Sequence, residues 1–433
     1  MRRTVMAAIL TAMLLGTLPA ADWPQWRGPK RDGHSGEVGV KDKLTAKGGP
    51  KLAWTFKDAG RGNATPSVVG DRVYVLGERK GKEYVIAIDA KAGKELWAAE
   101  MSPTWDEKGT TPFSFTVGPN CGPAVEGDRL YAVSSRGTLV CVDTAKGDVV
   151  WKKDLVGDPK DPKAVVTTSG GGEEVYGYGF SWSPLIDGDK LIITPGGKLG
   201  LFAALDKKTG KEIWRGTDVT EDATYASPVV AEIGGVRQYI TGTQFGPVAV
   251  DAKTGKMLWF PKLEDEIGDM VCPTPIVMGD TVLFSSTKYG TSATKVEKVG
   301  DNFKTKAAYK LVKGLANSHG EIVLVDGHIY GAHEERDWKC VEAATGKVKW
   351  STQDPTVGPI LAVDGVLVMQ PERGEEVVVA AADPAAFKEL NRWKLPEASK
   401  QRKPSGRLWC PPIAAAGKLF VRDQELLFAY EIK

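Results

Sequence analysis

Apolar and polar positions alternate along most of the chain in short runs, and the runs come in pairs joined by a Gly-Asp or similar turn. TPSVVGDRVYVLG (Thr65–Gly77), GPAVEGDRLYAVS (Gly122–Ser134) and SPLIDGDKLIITP (Ser183–Pro195) show the pattern. A period of two with a tight turn at its centre predicts a β-hairpin. Each hairpin is followed by a third apolar run ending in an acidic residue, a turn containing Gly, and a fourth run ending in Trp. This second half reads IDAKAGKELW (Ile88–Trp97), VDTAKGDVVW (Val142–Trp151), LDKKTGKEIW (Leu205–Trp214), VDAKTGKMLW (Val250–Trp259) and VEAATGKVKW (Val341–Trp350). In such a turn the acid accepts backbone N–H groups, and Gly255, like its counterparts, supplies a positive φ. The terminal Trp carries more apolar surface than one unit can bury, so the units are expected to stack in series. Small residues stand two before the acid, at Ala87, Cys141, Ala204, Ala249 and Cys340, which gives the two cysteines a packing role.

Counting by the fourth strand gives units ending at Trp97, Trp151, Trp214, Trp259, Trp350 and Trp393, with a degenerate unit ending near Tyr309 in KTKAAYK. The final unit, Pro411–Lys433, stops one strand short. PKLAWTF (Pro50–Phe56), with its orphan Trp54, offers the missing strand from the other end of the chain. The expected fold is therefore all-β: an eight-bladed β-propeller of four-stranded antiparallel blades, docked by Trp54, Trp97, Trp151, Trp214, Trp259, Trp350 and Trp393. The N-terminal strand is expected to join the C-terminal blade, closing the ring and removing its sheet edges. Residues 50–433 form this single domain, and Met101–Gly118 and Val156–Phe180 are loops rich in Gly and Pro, suited to binding.

The first residues change the picture of where the protein works. Arg2 and Arg3, an apolar run from Val5 to Leu18 and small residues at Ala20 and Ala21 have the layout of a secretory leader over residues 1–21, with the mature chain starting near Ala21 or Asp22. No Cys follows the apolar run to carry a lipid, and no later segment is apolar enough to span a membrane. A periplasmic or secreted monomer is expected. With 57 basic against 55 acidic side chains, net charge +2, nothing electrostatic points to nucleic acid. Five cysteines, an odd number with no CxxC, leave at least one thiol free or paired between molecules.

The repeated A-x-D-x-x-T-G-x-x-x-W unit resembles that of the pyrroloquinoline-quinone (PQQ) propeller superfamily, over essentially Pro50–Lys433. The resemblance implies an eight-bladed propeller but not one activity. Its members include periplasmic quinoprotein alcohol and sugar dehydrogenases that bind PQQ and calcium, and a non-catalytic lipoprotein of the outer-membrane-protein assembly machinery. The dehydrogenases need a catalytic Asp and oxygen ligands for calcium, and many carry a vicinal Cys pair. This chain has no Cys-Cys, and no residue matches the family's calcium ligands or its Asp, so neither a metal ligand nor a catalytic residue is assigned. DWPQWRGPKRDGHSG (Asp22–Gly36), in a Trp- and Arg-rich extension over 22–49, resembles a motif of exported PQQ-repeat proteins. Two Trp and an Arg within it suit a clamp on a propeller face.

In a propeller the first strand of each blade lines the central channel, and the loop entering it rims one mouth. Reading that position around the ring gives Asn63, Asn120 with Cys121, Ser181 with Trp182, Tyr225, Cys272, Ser318 with His319, Val357, and Arg407 with Trp409 and Cys410. Asn63, Asn120, Cys121, Trp182, Tyr225, Cys272, His319, Arg407 and Trp409 are the candidate ligand-binding residues. Trp182 and Trp409 could stack on a flat ring, and Arg407 could take a carboxylate. GAHEERDW (Gly331–Trp338) could offer His333 to a metal, but reads as a solvated hairpin tip. No hydrolase motif or phosphate loop is present. Three classes of function are left: a non-catalytic exported propeller binding an envelope or extracellular protein, peptide or glycan; a PQQ- and calcium-dependent dehydrogenase; and a structural module of an envelope assembly. The first is the expectation, since the fold signals are strong and catalytic signals are missing.

Overall fold

The computed structural model describes residues 21–104, 118–156, 179–263, 271–287, 290–310, 314–317, 320–334, 336–402 and 406–433. The leader, most of both long insertions, and Ser318 with His319 lie outside the described residues.

Eight antiparallel four-stranded sheets form the propeller. Blades 1 to 7 occupy residues 67–103, 124–154, 185–216, 229–259, 276–310, 322–352 and 360–394 in chain order. Blade 8 combines Ile413–Ala415, Lys418–Asp423 and Leu426–Glu431 with the early strand Leu52–Phe56, which pairs antiparallel with Leu426–Glu431 and places Trp54 opposite Ala429. Blade 7 carries a fifth strand: His34–Ser35 runs parallel to Ile360–Val363 on its inner edge.

The repeat owes its letters to contacts both within and between blades. Within a blade the small residue lies directly across from the Trp: Ala87 faces Trp97, Cys141 faces Trp151, Ala204 faces Trp214, Ala249 faces Trp259 and Cys340 faces Trp350. Cys141 and Cys340 are wholly buried there, and neither they nor Cys121 and Cys410 form a disulfide. At the turn, Asp251 Oδ1 accepts from Lys253 N (2.9 Å) and from Thr254 N (2.8 Å) and Oγ1 (2.9 Å). Between blades, the indole N–H reaches a turn carbonyl of the next blade: Trp54 to Ala90 (3.0 Å), Trp97 to Thr144 (3.2 Å), Trp151 to Lys207 (3.1 Å) and Trp350 to Asp383 (2.8 Å). In the degenerate blade 5 the Tyr309 hydroxyl does the same to Ala343 O (2.7 Å).

The turn glycine has a second duty beyond its positive φ. A Cβ on Gly255 would lie 2.4 Å from the Trp214 ring, so the indole of one blade rests on the bare backbone of the next. Three docking residues depart from the rule: the indole N–H groups of Trp214 and Trp393 reach no such carbonyl among the described residues, and Trp259 meets the long hairpin of blade 5 in place of a turn. Its Nε1 donates instead to Gln238 Oε1 of its own blade (2.7 Å), while its ring still packs with Val282 and Val296 of blade 5.

The N-terminal segment crosses the ring and plugs the channel. Trp23 exchanges backbone bonds with Val68 of blade 1 (2.7 and 2.8 Å), and Pro24 O accepts from Val125 of blade 2 (2.8 Å). Arg31 donates to Ser183 O and Pro184 O at the entrance of blade 3 (2.9 Å each). Gly33 O accepts from Ala362 of blade 7 (3.0 Å), and Ser35 Oγ donates to Ala414 O of blade 8 (2.6 Å). The chain then leaves through a short helix, Lys41–Thr45, whose buried Leu44 packs in the core shared by blades 7, 8 and 1. The clamp expected of Asp22–Gly36 is thus an axial plug, its arginines held by carbonyls that the inner strands leave unpaired.

Candidate functional site

The plug turns a through-channel into a cup. At the mouth where the chain enters the inner strands lies a small cavity of about 90 Å³, opening to solvent. Trp26 lines it, together with Asn63, Asn120, Ser181, Tyr225, Cys272, Gly320, Glu321, Trp409 and Pro411. Most of the accessible lining is apolar, supplied largely by three aromatic rings, with amide and hydroxyl groups between them.

A relay of bonds seats Trp26. Its Nε1 donates to Thr274 Oγ1 (2.9 Å), and that hydroxyl donates to Glu321 Oε1 (3.1 Å). Glu321 Oε2 accepts from Thr274 N (2.9 Å) and forms an ion pair with Arg27 Nη1 (2.9 Å). Arg27 spends three further donors on Arg31 O (3.2 Å), Asp32 O (2.9 Å) and Ile322 O (2.6 Å). Both charges are buried, and burial pushes the Glu321 carboxyl up while the Arg27 guanidinium pulls it down. Glu321 sits at a positive φ of 67° beside Gly320 at 84°, a left-handed pair that turns the carboxylate under the cup. Burial and the like charge of Arg27 lower Arg31 to about 9.

Six of the residues expected at the mouth come together there: Asn63, Asn120, Ser181, Tyr225, Cys272 and Trp409. Asn63 Nδ2 donates to Asn120 Oδ1 (3.2 Å). Two others turn away. Trp182 is wholly buried, edge-on to Phe180 in the core shared by blades 1 to 3. Cys121 lies in the same core, its Sγ 2.7 Å from Val133 O, and burial pushes its thiol up to about 12. Cys410 is raised to about 11 for the same reason, so neither thiol is a nucleophile at neutral pH. Arg407 lies near the rim, paired with Glu372 Oε1 (3.3 Å), whose Oε2 accepts from Trp409 Nε1 (3.2 Å). His319 lies outside the described residues. Val357 is core. Sequence reasoning missed Trp26, Gly320, Glu321 and Pro411 as lining residues. Trp26 was marked by the WPQWRG motif, whereas nothing local marks Glu321.

Among the described residues no three His, Cys, Asp or Glu side chains are grouped to hold a metal ion. His333 is buried, with Nδ1 accepting from Ala316 N (2.9 Å), and its pKa is lowered first by burial. Glu321 is the one carboxylate among the described lining residues, and both its oxygens are engaged. A calcium-borne quinone needs anionic oxygen ligands and a carboxylate base beside the ring. The described lining does not fit that group, although the apolar faces of Trp26, Tyr225 and Trp409 suit a flat ligand.

Residues 81–352 match the family model PQQ_2, described as outer membrane protein assembly factor BamB. A quinohemoprotein alcohol dehydrogenase, ADH IIB of Pseudomonas putida, is 30% identical over 154 residues, 34% of this chain and 20% of that protein. The chain spans about a fifth of the length of the first curated relatives it matches. Among solved structures, the quinohemoprotein alcohol dehydrogenase of Comamonas testosteroni aligns with a TM-score of 0.65 at 15% identity, covering 95% of this chain and 80% of that one. BamB of Moraxella catarrhalis aligns with a TM-score of 0.59 at 12% identity, covering 88% and 99%. At such identities these likenesses concern the fold alone.

Proposed function

The chain belongs to the PQQ-repeat propeller family described by the outer membrane protein assembly factor BamB, and from that premise we propose that it is a non-catalytic binding propeller of the cell envelope. Its ligand is an uncharged, polar segment, a peptide or a glycan end, taken up in the plugged mouth. The observation that carries this reading is the fate of Glu321: the carboxylate under the cup is neutralised by Arg27 and Thr274. The rest of the lining offers a ligand the aromatic faces of Trp26, Tyr225 and Trp409, with the bonded amide pair Asn63 and Asn120 and the Ser181 hydroxyl in the same lining. Aromatic faces flanked by amides and hydroxyls suit sugar rings and peptide groups, and they supply no base for abstracting a proton. The leader makes this an exported protein, periplasmic or secreted. No helix among the described residues is long and apolar enough to cross a membrane.

A second reading, a quinone-dependent dehydrogenase, draws support from relatives named as quinoprotein dehydrogenases and from the ring-sized apolar faces of the cup. One experiment separates the two. The mature protein is titrated with PQQ, with and without calcium, and with short peptides and oligosaccharides, read by calorimetry and tryptophan fluorescence. The expected result is a calcium-independent response to a peptide or glycan that Trp409→Ala abolishes, with no calcium-dependent uptake of PQQ at high micromolar concentration. Tight, stoichiometric, calcium-dependent PQQ binding would overturn the binding reading in favour of the dehydrogenase.

A further inference from the structure

We infer that Ala21 is the mature N-terminus and that its freed ammonium group locks the plug by pairing with Glu37. The Glu37 carboxylate is wholly buried beneath the plug, where parts of the chain far apart in sequence meet. Its Oε1 accepts from Gly417 N of blade 8 (2.9 Å) and from Ala21 N (3.1 Å), and Lys433 Nζ lies 2.7 Å from its Oε2. The inference rests on the leader expected over residues 1–21, with a start near Ala21 or Asp22, and not on the ligand proposed for the cup.

The structure discriminates between the two starts that the sequence allows. Ala21 is fixed on every side: its carbonyl accepts from Ala416 N (3.0 Å), its Cβ faces Gly36 so closely that a side chain there would meet it at 3.2 Å, and its nitrogen points at Glu37. Asp22 is spoken for differently, its Oδ1 accepting from Gly70 N (2.9 Å). A chain beginning at Asp22 would remove one of the two donors on Glu37 Oε1, keeping only Gly417 N, and would leave Ala416 N without the Ala21 carbonyl as acceptor.

The chemistry is a hydrolysis. A leader peptidase of the export route adds water across the Ala20–Ala21 amide, the hydroxyl going to the Ala20 carbonyl carbon and a proton to the Ala21 nitrogen, which takes a second proton to become an ammonium. Before cleavage Ala21 N is a neutral amide donor. Afterwards it is a cation within hydrogen-bond reach of a buried anion, and charge-assisted bonds of this kind are about twice as strong as neutral ones. Removal of the leader would thus tie the entrance of the plug to the last blade.

The test uses the full chain made in an exporting host and recovered after processing. Intact mass and N-terminal sequencing should give a chain starting at Ala21. An ammonium held by a carboxylate has its pKa raised by about one unit or more, so labelling by an amine-selective reagent at neutral pH should be roughly tenfold slower at Ala21 than at the same amine in Glu37→Gln. Lys433→Ala, which keeps the Glu37 side chain in place, should keep the protection and guards against reading a folding defect as lost pairing. A start at Asp22, an unprocessed chain, or an Ala21 amine that labels equally fast with and without Glu37 would each overturn the assignment. None of these outcomes touches the ligand test above.

Discussion

Arg27→Met is expected to lower the stability of the folded chain by about 3–5 kcal/mol, the usual cost of stranding one partner of a buried ion pair. The Glu321 carboxylate would remain buried under the cup, with only Thr274 to hold it. Much of that cost arises from the abandoned charge and not from the lost attraction. Arg27→Met combined with Glu321→Gln should therefore recover most of the loss, since a neutral amide can still accept from Thr274 N. Urea unfolding of the two single variants and the double variant measures the cycle. A double variant as unstable as Arg27→Met alone would show that the plug is held by other contacts. Because Thr274 also seats Trp26, the single variant should weaken ligand binding as well, whereas the double variant should restore it in part.

The second large effect is a pH dependence centred on Glu83. Its buried carboxylate sits between blades 1 and 2, accepting from Ser135 N (2.9 Å), Ser135 Oγ and Thr104 Oγ1 (3.2 Å). Burial lifts it from 4.5 to about 7, against the pull of those bonds. The folded chain thus keeps the proton up to near pH 7, while the unfolded chain gives it up near 4.5. The group's contribution to stability is complete below the unfolded value, shrinks as pH rises between the two, and is flat above 7. A gap of this size corresponds to roughly 3 kcal/mol. Glu83→Gln should accordingly raise stability at pH 8 by up to about that amount and change it little at pH 5. Unfolding midpoints that move equally at both pH values would mean that Glu83 is ionised in the folded chain throughout.

How much of this was legible in the sequence depends on how far apart the partners stand. The blade was legible because its chemistry is local: Asp251, Gly255 and Trp259 fall within ten letters, and recurrence of that spacing reveals the ring. The duty of Gly255 toward Trp214 was half visible, since the positive φ is a property of the turn and the indole comes from another blade. At the mouth, six of the positions read around the ring line the cup, but where the reading names two neighbouring residues only one of them can face it. Successive side chains in extended backbone point to opposite sides, so Ser181 faces the cavity and Trp182 the core, and Asn120 faces it while Cys121 does not. Glu321 left no trace, because its partner Arg27 lies 294 residues earlier.

That separation has a consequence for time. The plug is the first part of the propeller to be synthesised, yet Ser35 finds its partner 379 residues later and Glu37 finds Gly417 380 residues later. Early blades can assemble from local hairpins as they appear, whereas the axis must stay open until the final strands arrive. Contacts of such long range close slowly. Stopped-flow refolding should show a last tryptophan-fluorescence phase on the order of seconds, the time that contact-order trends give for all-β chains, and a single millisecond phase would contradict it. Until that last step the chain is a nearly finished ring with a bare hole at its centre, and the residues that fill it have been waiting longest.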